Sequence, residues 1–301
     1  MKVVVAGGTG FLGRALSQSL AADGHDVCLL TRGAGDRTFK TVPWTPNGAS
    51  GPWASAIDGA DAVVNLAGES IAAKRWTAEQ KQRILDSRVQ ATRSLAAAIQ
   101  GCPNPPSLLV SGSAVGYYGP LSDEVATEDT PPGSDFLARV CVTWEDEARR
   151  AATPRTRVTC IRTGLVLARD GGALPPMLTP FRFGAGGPVG SGRQYWPWIH
   201  RQDWVDLVRW VMRTPDSGAA INATAPNPVT NAEFARALGR AMHRPAFMPA
   251  PAFALRLLLG EMADALVLSG QRAVPRRAER GGFTFTYRTI DDALQEIFGK
   301  A

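Results

Sequence analysis

A glycine-rich turn near the N-terminus constrains the fold of this chain more than any other feature. The apolar residues 3–6 lead directly into glycines at three-residue spacing, and a helical pattern follows. Such glycines let a strand turn sharply, let the backbone approach a pyrophosphate, and let the helix pack closely on the strand. The N-terminus of that helix presents N–H groups to phosphates. This order predicts a dinucleotide-binding loop formed by Gly7, Thr9, Gly10, Phe11, Leu12 and Gly13.

The hydrophobic pattern extends this prediction to a fold class. Short apolar runs at residues 3–6, 27–30, 62–66 and 108–111 alternate with helical periods at residues 11–20 and 78–99. Continuous apolar runs indicate strands buried on both faces, as in a parallel sheet flanked by helices. We therefore predict an α/β fold with a doubly wound parallel Rossmann sheet over residues 1–165, to which residues 200–225 return.

The rest of the chain predicts a smaller, mostly helical C-terminal substrate domain over residues 166–199 and 226–301. Residues 171–198 are rich in glycine and proline, which indicates loops. A helix is predicted over residues 201–212 and a strand near residues 219–223. Asn231 is a candidate cap for a further helix, and residues 253–268 form the pattern of one more.

Composition narrows the function classes. The 301 residues are 45% hydrophobic and 20% charged, which is ordinary for a globular protein, and the net charge is +6. The arginines are scattered, so a phosphorylated cofactor or an anionic substrate fits this charge better than nucleic acid does. Four cysteines lie far apart and three histidines have no metal-ligand spacing. We therefore predict no metal site, and buried thiols in a reducing compartment.

Targeting signals are not predicted. The N-terminal residues pass from a short apolar run straight into glycine, which leaves no room for a signal peptide. The longest apolar stretch, residues 253–268, carries Arg256, Glu261 and Asp264, too many charges for a membrane span. These patterns predict a cytoplasmic protein that has no contact with membranes.

The end of the second predicted strand bears on cofactor choice. Thr31 and Arg32 stand where an NAD site usually offers an acid to the ribose hydroxyls. An arginine there can pair with a 2′-phosphate, so the sequence favours NADP over NAD. The alternative is that Arg32 is merely exposed and Asp36 reaches back to the ribose.

Small residues follow the strand at residues 62–66. Leu66, Ala67 and Gly68 leave room for adenine and ribose, so we include them in the cofactor site, together with Ser111 at the end of the next predicted strand. The alternative is an ordinary strand end.

Together these features resemble the extended short-chain dehydrogenase/reductases. Longer stretches narrow the resemblance to one branch, a family of sugar-nucleotide-epimerase-like proteins, and it covers nearly the whole chain. The stretches are Gly68-Glu69-Ser70-Ile71, Arg75-Trp76-Thr77, Ser87-Arg88, residues 113–119, Phe136-Leu137, Trp144-Glu145, Arg162-Thr163-Gly164, residues 186–192 and Trp198-Ile199-His200.

The resemblance implies a nicotinamide cofactor and a C-terminal domain that closes over a cleft, with residues 249–297 as the helical segment typical of the branch. It implies that Arg88 lies near the active site, where we expect it to contact a cofactor phosphate or the substrate; the alternative is a surface arginine. It also implies a homodimer formed through residues 78–99 and 136–152.

The usual catalytic pair of this superfamily is missing. Related enzymes carry a tyrosine four residues before a lysine that lowers the phenol pKa. By resemblance, Leu137 stands at the tyrosine position and Cys141 at the lysine position. Ser113 matches the serine that binds the substrate carbonyl, and Tyr117 or Tyr118 follows at a spacing that reaches the same cleft. Either tyrosine is a candidate proton donor, with packing as the alternative.

Other polar and aromatic residues are candidates to line this cleft. We expect His200 and Asp203 to organise the backbone or a helix start rather than to transfer protons. The tryptophans at 196 and 198 either stack on a ligand or pack. Arg182 and Arg193 either hold an anionic substrate group or are simply exposed.

These features predict an NADP-dependent oxidoreductase or epimerase-like enzyme acting on a small polar or nucleotide-linked compound. The missing pair also fits an NADPH-binding sensor or scaffold protein with little or no catalysis. Binding of RNA is the least favoured interpretation, since the sequence has no aromatic and basic motif.

Overall fold

The computed structural model of the protein describes residues 1–33 and 38–299. The strands are β1 (Lys2–Ala6), β2 (Asp26–Thr31), β3 (Lys40–Pro43), β4 (Ala62–Asn65), β5 (Leu108–Ala114), β6 (Val125–Ala126), β7 (Arg157–Thr163), β8 (Leu165–Ala168), β9 (Gly171–Gly172), β10 (Tyr195–Trp196), β11 (Trp198–His200), β12 (Ala220–Ala223), β13 (Val229–Thr230) and β14 (Arg272–Ala273).

The helices alternate with these strands in the first part of the chain and dominate its end. They are α1 (Phe11–Ala22), α2 (Ala78–Gln100), α3 (Phe136–Arg149), α4 (Leu174–Arg182), α5 (Arg201–Arg213), α6 (Asn231–Met242), α7 (Ala252–Leu259), α8 (Glu261–Ala263), α9 (Arg276–Arg280) and α10 (Ile290–Gly299). Short 3-10 helices cover Pro52–Ala56 and Val115–Tyr118, and a π-helical turn covers Asp264–Leu268.

Seven strands form one sheet in the order β12-β7-β5-β4-β1-β2-β3. All neighbouring pairs in this sheet run parallel. Helices cover both faces, which is why the central strands are apolar on both sides. The predicted doubly wound Rossmann sheet with a smaller helical C-terminal part is confirmed.

Alternate residues of β1 pack into the two cores on opposite faces of the sheet. Val3 and Val5 pack into a core with Leu16 of α1 and Trp204 of α5, whereas Val4 packs on the other face into a core that includes residues of α2. Successive side chains of a strand point to opposite faces, so one short apolar run anchors both helical layers.

The chain reverses its direction across the sheet beside β1. It proceeds from β1 to β2 and β3 on one side, and then crosses to β4, β5, β7 and β12 on the other. In open parallel sheets, ligands bind outside the carboxyl ends of the strands at such a reversal. The residues that follow β1 and β4 therefore border the expected site.

A second core lies in the later part of the chain. The small sheet β11-β8-β9 packs there with α4, α6 and α10 around buried residues such as Phe181, Trp198, Phe234 and Leu294. The predicted helix over 201–212 and the strand near 219–223 are confirmed as α5 and β12, and β12 pairs with β7 of the main sheet. The domain limits predicted from the sequence stay a prediction.

Two predictions for the C-terminal part are wrong in detail. Residues 253–268 do not form one helix, because Gly260 has a φ of 63° and ends α7, after which α8 and the π-helical turn follow. Asn231 does not cap α6. Thr230 does so in a reciprocal capping box with Glu233, while the Asn231 side chain accepts a hydrogen bond from the Val189 N–H at 2.7 Å.

The cysteines also differ in part from expectation. Cys28, Cys141 and Cys160 are buried, but Cys102 is half-buried and its Sγ donates to Asp58 at 3.3 Å. Within residues 1–33 and 38–299, no helix is long and apolar enough to cross a membrane.

Candidate functional site

The turn after β1 leaves no space for side chains. Gly7 has a φ of 79°, and a Cβ on Gly7 would lie 2.7 Å from the Leu66 backbone. A Cβ on Gly13 would lie only 2.2 Å from the Gly7 carbonyl oxygen. The Gly10 N–H donates to that same oxygen at 3.0 Å, which closes the turn. Only glycine fits the first and last of these positions, as a nucleotide loop requires.

The backbone N–H groups at the N-terminus of α1 are not bonded by a capping side chain. Gly10 is the capping residue, so no side chain caps the helix, and its first turn carries no acidic residue. Thr9 and Gly10 are exposed, while Phe11 and Leu12 are half-buried. Free N–H groups and the positive end of the helix dipole together suit a phosphate group.

The segment after β4 forms the second wall of this loop. The Asn65 side chain holds it by donating to Thr92 at 2.8 Å and accepting from the Ala67 N–H at 3.2 Å. Leu66 and Ala67 are half-buried and Gly68 is exposed. The structure therefore brings residues 66–68 beside the glycine turn, where the sequence predicts the cofactor.

The end of β2 presents a cation to the solvent. Arg32 is exposed and has no ion-pair partner among the described residues. Thr31 is buried, and its hydroxyl accepts a hydrogen bond from the Gly33 N–H at 3.2 Å. Asp36, the alternative contact to the ribose, lies outside the described residues.

Ser111 and Arg88 lie on the β4 and β5 side of the site. Ser111 is fully buried and its hydroxyl donates to the Gly112 carbonyl at 3.3 Å. Arg88 is half-buried against Gly68, where a Cβ would lie 3.3 Å from its guanidinium carbon.

A buried network of ion pairs and hydrogen bonds lies between β7 and α3, next to β5. Arg162 of β7 makes two hydrogen bonds to Glu145 of α3, at 2.8 and 2.9 Å, and both side chains are at most 3% exposed. Burial opposes the charge of Arg162, but the bonds to Glu145 raise its pKa. Ser113 donates to the same carboxylate at 2.7 Å, so its proton is not available to a substrate carbonyl.

The two tyrosines have different surroundings. Tyr118 is buried, donates to Asn222 Oδ1 at 2.6 Å and accepts from Arg162 Nη1 at 3.1 Å. Burial raises the pKa of Tyr118 to about 12, against the effect of Arg162. Tyr117 is half-buried with its ring 3.4 Å from the Arg162 guanidinium carbon, and its hydroxyl bonds to no residue that the structure describes. Of the two, only Tyr117 has a hydroxyl free for a ligand.

The place of the missing catalytic pair is apolar. A Cβ on Gly116 would touch Leu137 Cβ at 3.3 Å and Cys141 Sγ at 4.0 Å, so these residues pack under the turn that carries the tyrosines. Burial raises the pKa of the Cys141 thiol to about 12. Cys141 is therefore a protonated, inert thiol near neutral pH.

His200 and Asp203 both organise the backbone, as the sequence predicts. His200 caps α5 by accepting from the Gln202 N–H at 3.1 Å, and Asp203 accepts from the backbone N–H groups of Thr286 and Tyr287. Trp196 and Trp198 are buried and pack. Arg182 and Arg193 are both exposed.

Sequence reasoning missed the buried network itself. Glu145 and Arg162 belong to two of the family motifs, but their pairing joins a helix to a strand and has no local pattern. The network extends through Glu128, which accepts from the backbone N–H groups of Asn222 and Arg277. The signal available in the sequence was Arg162 directly after the uncharged residues 158–161, because a charge in a buried strand rarely lacks a partner.

Comparison with known proteins identifies the family. Residues 3–224 match the model of the NAD dependent epimerase/dehydratase family, and residues 250–297 match a domain of unknown function, DUF1731. The chain belongs to the NAD dependent epimerase/dehydratase family. The resemblance to the extended short-chain dehydrogenase/reductases is thereby confirmed, and the second match covers the C-terminal segment that the sequence singled out.

Several members of this family are similar to this chain over nearly its whole length. The epimerase family protein SDR39U1 homolog, chloroplastic, of Arabidopsis thaliana is 43% identical over 303 residues, which cover 99% of this chain and 86% of that one. The crystal structure of human epimerase family protein SDR39U1 with NADPH is 38% identical, with a TM-score of 0.92 and full coverage of both chains. A nucleoside-diphosphate sugar epimerase from Corynebacterium glutamicum is 33% identical, with a TM-score of 0.82 over 99% of this chain and 58% of that one.

Proposed function

We propose that this chain is an NADP-dependent oxidoreductase or epimerase-like enzyme that acts on a small polar or nucleotide-linked compound. The observation that carries the proposal is the glycine turn after β1, where side chains at Gly7 and Gly13 would collide with backbone atoms. The turn lies at the reversal of strand order and ends at an uncapped helix N-terminus. These residues fit the pyrophosphate of a dinucleotide.

Arg32 supports NADP rather than NAD as the cofactor. It is exposed at the carboxyl end of β2, the position that borders the adenosine ribose in this fold. A guanidinium there can form paired hydrogen bonds to a 2′-phosphate. The human relative whose crystal structure contains NADPH supports the same choice.

We expect Arg32→Ala to weaken NADPH binding selectively. Loss of charge-assisted hydrogen bonds to the 2′-phosphate should raise the Kd for NADPH about tenfold to a hundredfold. NADH lacks this phosphate, so its Kd should stay within about twofold. Titrations followed by tryptophan fluorescence measure both constants.

Arg236→Ala is the matched control, because Arg236 is an exposed arginine on α6 in the C-terminal part. It should change neither constant. Equal weakening of NADPH and NADH by Arg32→Ala, or no change in either, would contradict the assignment of Arg32 to the 2′-phosphate.

A nicotinamide cofactor supplies hydride exchange when it is bound, so a protein group must handle the accompanying proton. Tyr117 is the better placed of the two candidates, since its hydroxyl is free. The Tyr118 hydroxyl is held between Asn222 and Arg162. Ser113 is committed to Glu145 and can offer only its lone pairs to a ligand.

The two tyrosines should respond differently to removal of the hydroxyl. Tyr118→Phe leaves the buried Asn222 Oδ1 without its donor and removes one of the two acceptors of Arg162 Nη1, so it should lower the free energy of unfolding by about 1–3 kcal/mol. Tyr117→Phe should change it by less than about 0.5 kcal/mol, and any loss of turnover should come from this variant. Urea unfolding of both variants tests the first part. Equal stability losses would show that the hydroxyl of Tyr117 is bonded as well.

An NADPH-binding sensor or scaffold is the second candidate function. It is favoured by the apolar packing of Leu137 and Cys141 where related enzymes carry the tyrosine and lysine. Two labelling experiments separate the two functions. NADPH deuterated at C4 of the nicotinamide ring is incubated with the protein and small carbonyl compounds, and NADP+ is incubated with the protein and nucleotide sugars deuterated at the carbons that carry hydroxyl groups. Transfer of deuterium to a carbonyl compound or to NADP+, or inversion of a sugar carbon, supports the enzyme. Absence of transfer and of inversion in both experiments supports the sensor.

Expectations about partners and location remain part of the proposal. They are a homodimer formed through α2 and α3, a small-molecule substrate, no nucleic acid or membrane partner, and a cytoplasmic location.

A further inference from the structure

Arg88 lies at the edge of the sheet where the strand order reverses. Its side chain leaves α2 and packs on Gly68, so closely that a Cβ there would lie 3.3 Å from Arg88 Cγ and Cζ. Gly68 follows β4 by three residues, and Leu66 of the same segment abuts Gly7 of the nucleotide turn. The guanidinium is therefore next to the loop that fits the pyrophosphate.

Arg88 has no ion-pair partner among the described residues. Its one hydrogen bond within them runs from Nη1 to the Ile84 carbonyl at 3.0 Å, and none of the described carboxylates lies within salt-bridge distance. Burial lowers the pKa of Arg88, and the more distant Cys141 and Glu69 oppose this effect in part. Most of its five N–H donors are left for a ligand, and a half-buried guanidinium is stabilised best by an oxyanion.

The neighbours of Arg88 place its charge near the position where related enzymes carry the lysine. The guanidinium carbon lies 5.2 Å from the ring centre of Trp144 on α3. Trp144 is one helical turn from Cys141, which stands at the lysine position by resemblance. The guanidinium of Arg88 on α2 therefore lies near the position at which α3 lacks a lysine.

Arg88 and Arg32 lie on opposite sides of the glycine turn. Arg32 follows β2, the glycine turn follows β1, and Gly68 follows β4, in that order along the sheet edge. Two strand spacings separate β2 from β4, which is about 10 Å. Arg32 therefore lies on the adenosine side of the turn, and Arg88 lies on the opposite side, where the other half of a dinucleotide would extend.

We propose that Arg88 binds a carboxylate or phosphate oxygen of the ligand at the nicotinamide side of the cleft. The inference rests on the proposed function, since it takes the glycine turn as the pyrophosphate site. The oxyanion has two sources, the nicotinamide half of the cofactor with its phosphate or an anionic substrate beside it.

Fragments of the cofactor distinguish these sources. The Kd values of NADPH and of 2′,5′-ADP, which lacks the nicotinamide half, are measured for the wild type, Arg88→Gln and Arg88→Lys. Malonate and inorganic phosphate are then titrated into the NADPH-saturated proteins, with bound-NADPH fluorescence as the signal. Arg83→Gln is the matched control, because Arg83 is an exposed arginine on the same helix.

Two results support the proposal. If the oxyanion belongs to the cofactor, Arg88→Gln raises the Kd of NADPH about tenfold or more and leaves that of 2′,5′-ADP within about twofold. If it belongs to a substrate, NADPH binding is unchanged but malonate or phosphate binding is lost. In both cases Arg88→Lys retains part of the affinity, because it keeps a cation.

The proposal is overturned if Arg88→Gln changes none of these constants, or if it weakens 2′,5′-ADP as much as NADPH, since that pattern indicates damage to the loop itself. Failure of the wild type to bind NADPH is a different outcome, because it removes the proposed function as a whole.

Discussion

Gly13→Ala should abolish productive binding of NADPH, with a Kd raised by at least about a hundredfold. The new Cβ would lie 2.2 Å from the Gly7 carbonyl oxygen and 2.7 Å from Gly8 Cα. Both are backbone atoms, so no flexible side chain can move away, and α1 must shift from β1. That shift displaces the helix N-terminus that faces the pyrophosphate. Fluorescence titration with NADPH measures the loss.

Two further glycine variants make this result specific. Gly10→Ala places its Cβ 3.2 Å from the same oxygen, a contact that a small shift relieves, so its effect should be intermediate. Gly101→Ala, after α2, meets nothing closer than 3.5 Å and should leave NADPH binding unchanged. Circular dichroism verifies that each variant is folded. Wild-type affinity in a folded Gly13→Ala protein would contradict the assignment of this turn to the pyrophosphate.

Arg162→Met should cause the largest loss of stability among single substitutions in the site. It leaves the Glu145 carboxylate buried, 0% exposed, without the two hydrogen bonds from Arg162. Breaking a buried pair on one side typically costs about 3–5 kcal/mol. Half-exposed Arg149, which bonds Glu145 at 2.8 Å, compensates for only part of this loss. Urea unfolding measures the change in the free energy of unfolding.

Two comparison variants distinguish a buried ion pair from an exposed one. The double variant Arg162→Met/Glu145→Gln should lose less than the sum of the two single losses, because neither charge is then left alone. Arg240→Met removes the exposed ion pair with Asp291 and should cost less than about 1 kcal/mol. Equal losses for Arg162→Met and Arg240→Met would contradict the structural role of the network.

The features that sequence reasoning predicted correctly are those with local causes. The strands of the Rossmann sheet are continuous apolar runs, and the sharp turn between β1 and α1 depends on glycines three residues apart, so both appear in short windows. The caps at His200 and the packing of Trp196 and Trp198 follow from local residue types in the same way.

The features that sequence reasoning missed depend on tertiary contacts. Glu145 and Arg162 are 17 residues apart and meet only because α3 packs on β7. The apolar run after residue 253 has a helical pattern throughout, but Gly260 adopts a positive φ beside Arg75 and breaks it. Residues 171–172 form a strand that packs on Phe11, which no local pattern indicated.

The candidate site also contains both kinds of feature, those with local sequence patterns and those that depend on tertiary contacts. The glycine turn and the segment after β4, which form its predicted cofactor side, have local sequence patterns, whereas the bonding of Ser113 and Tyr118 depends on the buried network. Among the described residues, the Tyr117 hydroxyl has no hydrogen-bond partner and Arg88 has no ion-pair partner. Both are properties of tertiary surroundings that the sequence does not show.

The central claim is that the turn after β1 binds NADP(H), and direct titration of the purified protein with NADPH and NADH tests it most directly. Tryptophan fluorescence follows binding, after the nucleotide that copurifies has been identified. We expect tight binding of NADPH and weak binding of NADH. Binding of neither nucleotide would contradict it, and tighter binding of NADH would overturn the role of Arg32.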